Sequence, residues 1–412
     1  MTKEICLRTL GGEIRAIPSK SVAHRLLICA ALSDGPTKIH CPQTSRDIEA
    51  TAACLSALGA NITYCEGYYT VDPIQTAVNN AVLPCGESGS TLRFLIPLVC
   101  GLGVCAEFEM QGRLPDRPLS PLQEELEAHG ITFNKEQNRL TVGGTLTGHD
   151  FTLAANVSSQ FISGLLFMLT LCGGTLTLTD TVESGAYIDM TVNALQQFGA
   201  LLTKTDRVFT LKKSRLQAQT EVQTEGDWSN AAFFLCAGCL GMHPVTVKGL
   251  NLHSAQGDKQ ILNILRAFGA KIECNEDAVT VWPSELTAAD IDAAQIPDLV
   301  PVLALTACAA KGRTRIFNAQ RLRLKESDRL QTTADLLNDL GGKASVTPDG
   351  LLIEGKTVLH GGVADAANDH RIAMSAAIAA ILCENGVTLH GAQAVEKSYP
   401  DFWSDLEKLK RV

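Results

Sequence analysis

The stretch LSALGANI at residues 55–62 returns four times, as LEAHGITF at 126–133, LQQFGALL at 195–202, LRAFGAKI at 265–272 and LNDLGGKA at 337–344. Its glycines, Gly59, Gly130, Gly199, Gly269 and Gly341, stand 71, 69, 70 and 72 residues apart. Leucines at helical spacing, a glycine stop and a short alternating run predict a helix that ends on a C′ glycine and leads into a strand. A sixth copy falls at the C-terminus, where DLEKLKRV supplies the helix.

A second series runs in phase with the first. Apolar stretches follow Ser21, Ser90, Ser159, Asp227, Asp298 and Asp369, at steps of 69, 69, 68, 71 and 71 residues. Ser and Asp oxygens accept the orphan amide hydrogens of a first helical turn, so these six are expected N-caps. The stretches are apolar nearly all round, as in FISGLLFMLTL at 161–171, and predict buried helices; the glycine-stopped helices are one-sided and should lie outside. GPTKIH, GVCAEFEM, GTLTLTD, MHPVTVKG, GRTRIFN and GVTLHG read as strands. The unit is strand, apolar helix, strand, amphipathic helix, strands, and six units fill the chain. The class is α/β, with three units per domain. Crossings near Pro18 and within 217–226 put residues 1–17 and 226–412 in domain I and 18–225 in domain II.

Composition narrows the function. The 412 residues suggest two or three domains. With 35 Lys and Arg against 44 Asp and Glu, net charge −9 and 5% aromatics, the chain lacks the footprint of a nucleic-acid binder. At 45% hydrophobic and 19% charged it can fill sizeable cores. Its longest apolar stretches, 299–310 and 372–383, fall short of the roughly 18 residues a membrane span needs. A cytoplasmic location is expected. The 14 cysteines are scattered, mostly in apolar runs, where free Cys packs as a small hydrophobe. Cys236 and Cys239 lie late in AAFFLCAGCL, the wrong end of a helix for a redox pair. Only His243 stands near as a further zinc ligand, so no metal, cofactor or disulfide is expected.

The helix starts carry the chemistry. They include Pro18-Ser19-Lys20-Ser21 with Arg25 beyond, Ser88-Gly89-Ser90 with Arg93, Val157-Ser158-Ser159-Gln160 and Asn368-Asp369-His370-Arg371. Outer helices start similarly, at Arg46-Asp47, Arg117-Pro118, Lys325-Glu326-Ser327-Asp328-Arg329 and Lys397-Ser398. Cations favour helix C-termini, so Lys and Arg repeatedly placed at N-termini point to an anionic ligand held by free N–H groups. There is no G-x-x-x-x-G-K-[ST], no G-x-G-x-x-G before a helix and no H-E-x-x-H. What remains is a transferase acting on one or two small, multiply charged anions.

In their order along the chain, PSKS at 18–21, SGSTLR at 88–93, RP at 117–118, VSSQF at 157–161, IPD at 296–298, LKESDRL at 324–330, NDHR at 368–371 and EKSYPDF at 396–402 resemble the EPSP synthases, the 3-phosphoshikimate 1-carboxyvinyltransferases of the shikimate pathway to chorismate and the aromatic amino acids. The resemblance implies two domains of three βαβαββ repeats each, an inside-out α/β barrel, with the active site in the interdomain cleft. It implies transfer of the enolpyruvyl group of phosphoenolpyruvate to the 5-hydroxyl of shikimate 3-phosphate, in a monomer inhibited by glyphosate. Shikimate 3-phosphate would touch Lys20, Ser21, Arg25, Ser158, Ser159, Gln160, Ser184, Asp298 and Lys325. Phosphoenolpyruvate would touch Lys20, Gly89, Arg117, Gln160, Arg329, Arg371 and Lys397. Glu326 is the expected acid and Asp298 the expected base, with Lys20 between both substrates and Arg93 supporting the Gly89 loop. The chain departs from the family in Glu87, where Asn is common, in Arg321, where an amide is common, and in Gly185-Ala186 after Ser184.

Two other readings stand beside this one. The related UDP-N-acetylglucosamine enolpyruvyltransferases carry a Cys on the loop before RP, whereas residues 111–117 have none. A non-catalytic anion-binding repeat protein would have no use for both Asp298 and Glu326.

Overall fold

The computed structural model describes residues 1–7, 9–356 and 358–410. The chain forms two compact units, Pro18–Thr224 and Met1–Ile17 with Glu225–Val412. In the first unit, three four-stranded sheets follow one plan. Ala81–Gly86 runs parallel to Ala106–Met110, which pairs antiparallel with Arg139–Gly144, itself hairpinned to Ile131–Glu136. A parallel pair needs a crossover, because its strands enter from the same end. The apolar helix Gly89–Leu102 is that crossover. Asp150–Ala154 and Gly174–Thr179 repeat the plan around the helix Ser159–Cys172.

The leading strand of the first repeat in each unit comes from far along the chain. Glu221–Gln223 lies parallel to Thr37–His40, and Gly12–Arg15 lies parallel to Val245–Lys248. Each crossing between units therefore follows directly on a strand that belongs to a distant repeat. The sixth repeat is completed from the other terminus, with Thr2–Ile5 antiparallel to Val387–His390.

The glycine-stopped helices end as expected. Gly59, Gly130, Gly199, Gly269 and Gly341 all have positive φ, the αL stop that only Gly adopts without strain. The N-caps differ from expectation in four of the six repeats. Ser19, Ser88 and Ser158 are the caps, ahead of Ser21, Ser90 and Ser159. Asp227 and Asp369 cap as expected, accepting from the Asn230 and Arg371 amides. Asp298 instead sits in the 3-10 turn Pro297–Leu299, before Val300–Ala309. Two outer starts also shift: Arg117 precedes a helix that begins at Leu122, and Lys397 ends the 3-10 turn Ala392–Lys397.

Helices Gly89–Leu102 and Ser159–Cys172 pack closely because Pro97 and Gly164 meet. Pro97 has no N–H to give the Arg93 carbonyl. Gly164 comes so near that an added Cβ would lie 2.5 Å from that oxygen and 3.0 Å from Pro97 Cγ. Backbone cannot retreat as a side-chain tip can. Gly164→Val should cost about 1–3 kcal/mol through overpacking, lowering the calorimetric transition by roughly 2–4 °C per kcal/mol. An unchanged transition would refute this packing.

Candidate active site

In the unit Pro18–Thr224, the apolar helices Lys20–Ala31 and Gly89–Leu102 and the outer helix Arg46–Ala57 carry expected cations in or just beyond their first turns, while Ser159–Cys172 brings Gln160. Lys20, the first residue of Lys20–Ala31, donates to Asp47 Oδ2 at 2.6 Å. Asp47 lies in the first turn of the neighbouring helix Arg46–Ala57. Sequence reasoning noted that helix start but missed its acid as the partner of Lys20. Arg25 lies one turn deeper and is buried. It donates to the Ser21 and Tyr187 carbonyls at 2.6 and 2.8 Å, and to the Thr191 hydroxyl at 2.8 Å. All these acceptors are neutral. Burial pulls the Arg25 guanidinium down to about 10, with Tyr187 and Cys29 opposing, so it stays charged at neutral pH. A buried cation held only by neutral groups suits a ligand anion.

The second and third helix starts join through side chains. Gln160 donates from Nε2 to the Ser90 hydroxyl at 3.0 Å and accepts from Arg93 at 3.4 Å. Arg93 also reaches the Pro118 carbonyl at 3.2 Å. A Cβ on Gly89 would stand 2.5 Å from an Arg117 nitrogen and 2.7 Å from an Arg93 nitrogen. Gly89, Arg93, Arg117 and Gln160 thus form one group. Ser158 caps its helix by accepting from the Gln160 amide, and Ser159 is buried at the first helical position. Ser184 sits in the left-handed region, φ 52, ahead of Gly185–Gln197. The Glu87 carboxylate packs against Gly112.

In the second unit the expected residues converge on Asp298. Its carboxylate meets Arg329 at 2.8 Å, Arg371 at 3.4 Å and Lys325 at 3.5 Å. Burial alone would raise this acid, but Lys325, Arg371 and Arg329 hold it well below the usual carboxylate range. Arg329 is fully buried among three acids: Asp298, Glu326 at 2.5 Å and Asp369 at 2.9 Å. Burial disfavours its charge, but Asp369, Glu326 and Asp298 outweigh that and push its pKa above the ordinary arginine value. Among the described residues Arg371 makes only long bonds, to Asp298 and to Asn230 at 3.4 Å, and its buried Nε has no partner. Lys397 donates to the Asn368 carbonyl at 2.5 Å, beside the cap Asp369. Asp369 was read as a cap alone; its second role, holding Arg329, depends on a partner 40 residues away.

The cysteines pack partly as expected. Cys236 and Cys239 are buried, and burial pushes Cys236 up to about 12 and Cys239 well above its ordinary value. Cys6 and Cys65 are exposed. Among the described residues no His, Cys, Asp and Glu cluster could hold a metal ion, and no helix is long and apolar enough to cross a membrane.

These arrangements can be set beside known proteins. The EPSP synthase family model, described as 3-phosphoshikimate 1-carboxyvinyltransferase, matches residues 7–406. The 3-phosphoshikimate 1-carboxyvinyltransferase of Clostridium acetobutylicum is 42% identical over 421 residues, covering 97% of this chain and 95% of its own. The solved EPSP synthase of Acinetobacter baumannii is similar with TM-score 0.82 at 24% identity, covering 99% of this chain and 98% of its own. The enolpyruvyl transferase NikO of Streptomyces tendae reaches 0.79 at 21%, covering 99% and 97%. Structures so distant in sequence speak to the fold, and NikO shows that the fold also serves an enzyme of another name. The sequence match is what narrows the choice, because it runs through every helix start described above. On that ground the chain belongs to the EPSP synthase family.

Proposed function

We infer that the chain transfers the enolpyruvyl group of phosphoenolpyruvate to the 5-hydroxyl of shikimate 3-phosphate and releases phosphate. The observation that carries this reading is the 42% identity to a 3-phosphoshikimate 1-carboxyvinyltransferase across 97% of the chain. The 5-hydroxyl oxygen bonds to C2 of the donor, its proton leaves, and a proton is added to the methylene carbon. The tetrahedral adduct then loses phosphate and a methyl proton, restoring the double bond. Proton delivery is assigned to Glu326 and proton removal to Asp298, as positioned acid and base.

The arrangement around Asp298 supports a substrate-gated base. Three cations share it, which makes it a poor proton acceptor as it stands. Substrate phosphates and carboxylate compete for Lys325, Arg329 and Arg371, and each cation drawn away returns basicity to Asp298. Shikimate 3-phosphate is assigned to Lys20, Ser21, Arg25, Ser158, Ser159, Gln160, Ser184, Asp298 and Lys325. Phosphoenolpyruvate is assigned to Lys20, Gly89, Arg117, Gln160, Arg329, Arg371 and Lys397. The enzyme is read as a cytoplasmic monomer that uses no cofactor. A phosphate-release assay tests the reading: release should require phosphoenolpyruvate and shikimate 3-phosphate together. Release with UDP-N-acetylglucosamine as the acceptor instead would overturn it.

A further inference from the structure

Behind the cationic helix starts of the unit Pro18–Thr224 lies a buried chain of hydrogen bonds between neutral side chains. His24 Nδ1 meets the Thr51 hydroxyl at 2.7 Å, Thr51 meets the Thr91 hydroxyl at 2.7 Å, and Thr91 donates to Ser88 Oγ at 2.7 Å. All four residues are buried, none more than 1% exposed. Ser88 is the N-cap of Gly89–Leu102 and also accepts from the Thr91 amide at 3.3 Å. The proton order follows from this end. Thr91 gives its hydroxyl proton to Ser88, so it accepts from Thr51, which in turn accepts from a protonated His24 Nδ1. Burial, with Lys20 and Arg25 nearby, pushes His24 well below its usual value, so the ring is the neutral Nδ1–H form. Its Nε2 is buried without a partner among the described residues, which leaves Thr51 as the link that ties the ring into the chain.

The chain stands in register with the charged contact above it. Lys20 and His24 are four residues apart on one helix, and Asp47 and Thr51 are four apart on the next. Residues so spaced share a helix face. Lys20–Asp47 and His24–Thr51 are therefore successive rungs between the same two helices, and Thr51 passes the second rung on to the cap beside Gly89. We propose that His24, Thr51 and Thr91 are positioning residues that hold the Gly89 helix start in register with Lys20, and so set the phosphoenolpyruvate subsite. This rests on the functional reading above. Arg25 is anchored separately, on Ser21, Tyr187 and Thr191, so the shikimate 3-phosphate subsite should be affected less, and only through Lys20 and Gln160, which are assigned to both substrates.

Thr51→Val keeps the shape and removes the hydroxyl, while Thr51→Ser keeps the hydroxyl. In the full-length enzyme, Thr51→Val should raise KM for phosphoenolpyruvate roughly 5–10-fold, the scale of one buried hydrogen bond. The KM for shikimate 3-phosphate should stay within about twofold, and Thr51→Ser should restore the wild-type KM for phosphoenolpyruvate. Hydrogen exchange over residues 88–93 should quicken in Thr51→Val and not in Thr51→Ser, a result that needs no turnover. Thr91→Val gives the same test should Thr51→Val fold poorly. Unchanged exchange overturns the proposal, as do equal rises in both KM values or a loss of stability with phosphoenolpyruvate KM unmoved. An unmodified enzyme inactive with both substrates would instead sink the functional reading, and the exchange result would still decide whether the chain orders the helix start.

Discussion

Glu326→Gln should lower kcat by about 10²-fold or more while leaving both KM values nearly unchanged, the loss expected for a positioned acid. Glutamine keeps the shape and the oxygen that accepts from Arg329, but has no acidic proton to give. Arg329 retains Asp298 and Asp369, so the site should keep its geometry. Asp298→Asn should behave differently. It removes the carboxylate that Lys325, Arg329 and Arg371 share, so kcat should fall and both KM values should shift as those cations relax. Steady-state kinetics of the two variants separate an acid from a base that also organises charge. Near-normal turnover in Glu326→Gln would remove it from the mechanism and leave Lys20 as the proton source.

The parts of this molecule legible in the sequence are those that repeat or obey local rules. C′ glycines need positive φ, and their spacing alone marked five helix ends. Cap positions were less legible, because the small residues that catch the eye at Ser21, Ser90 and Ser159 stand inside the first turn. The capping oxygen belongs to the residue before the turn, as at Ser88 and Ser158. Asp298 escaped the cap pattern for a local reason, since Pro297 opens a 3-10 turn there. Partners distant in sequence were not legible at all. Nothing local tells that Gly12–Arg15 pairs with Val245–Lys248, or that Asp47 neutralises Lys20. Thr51 and Thr91 read as ordinary helix residues until the fold places their hydroxyls together.

Gly89→Ala should relieve inhibition by glyphosate, on the order of 10- to 100-fold, the scale of one charge-assisted hydrogen bond lost. The resemblance to the family implies that the inhibitor competes with phosphoenolpyruvate, and Gly89, with no Cβ, would leave the helix start open to it. Steric overlap with the ligand is the simple expectation, but the structure adds a second cause. A methyl at Gly89 would lie 2.5 Å from an Arg117 nitrogen and 2.7 Å from an Arg93 nitrogen. Those guanidinium tips are flexible and would swing away, taking with them the cations that face an anion. Phosphoenolpyruvate is assigned to the same pocket, so its KM should rise several-fold in the same variant. Glu87 offers a rival explanation, because a carboxylate next to an anion site repels a phosphonate. Its side chain packs on Gly112, and Glu87→Asn should accordingly change inhibition much less than Gly89→Ala. Inhibition constants and phosphoenolpyruvate KM values for the unmodified enzyme, Gly89→Ala and Glu87→Asn decide between space and charge. Resistance of the unmodified enzyme, reversed only by Glu87→Asn, would place control of the pocket in the Glu87 charge.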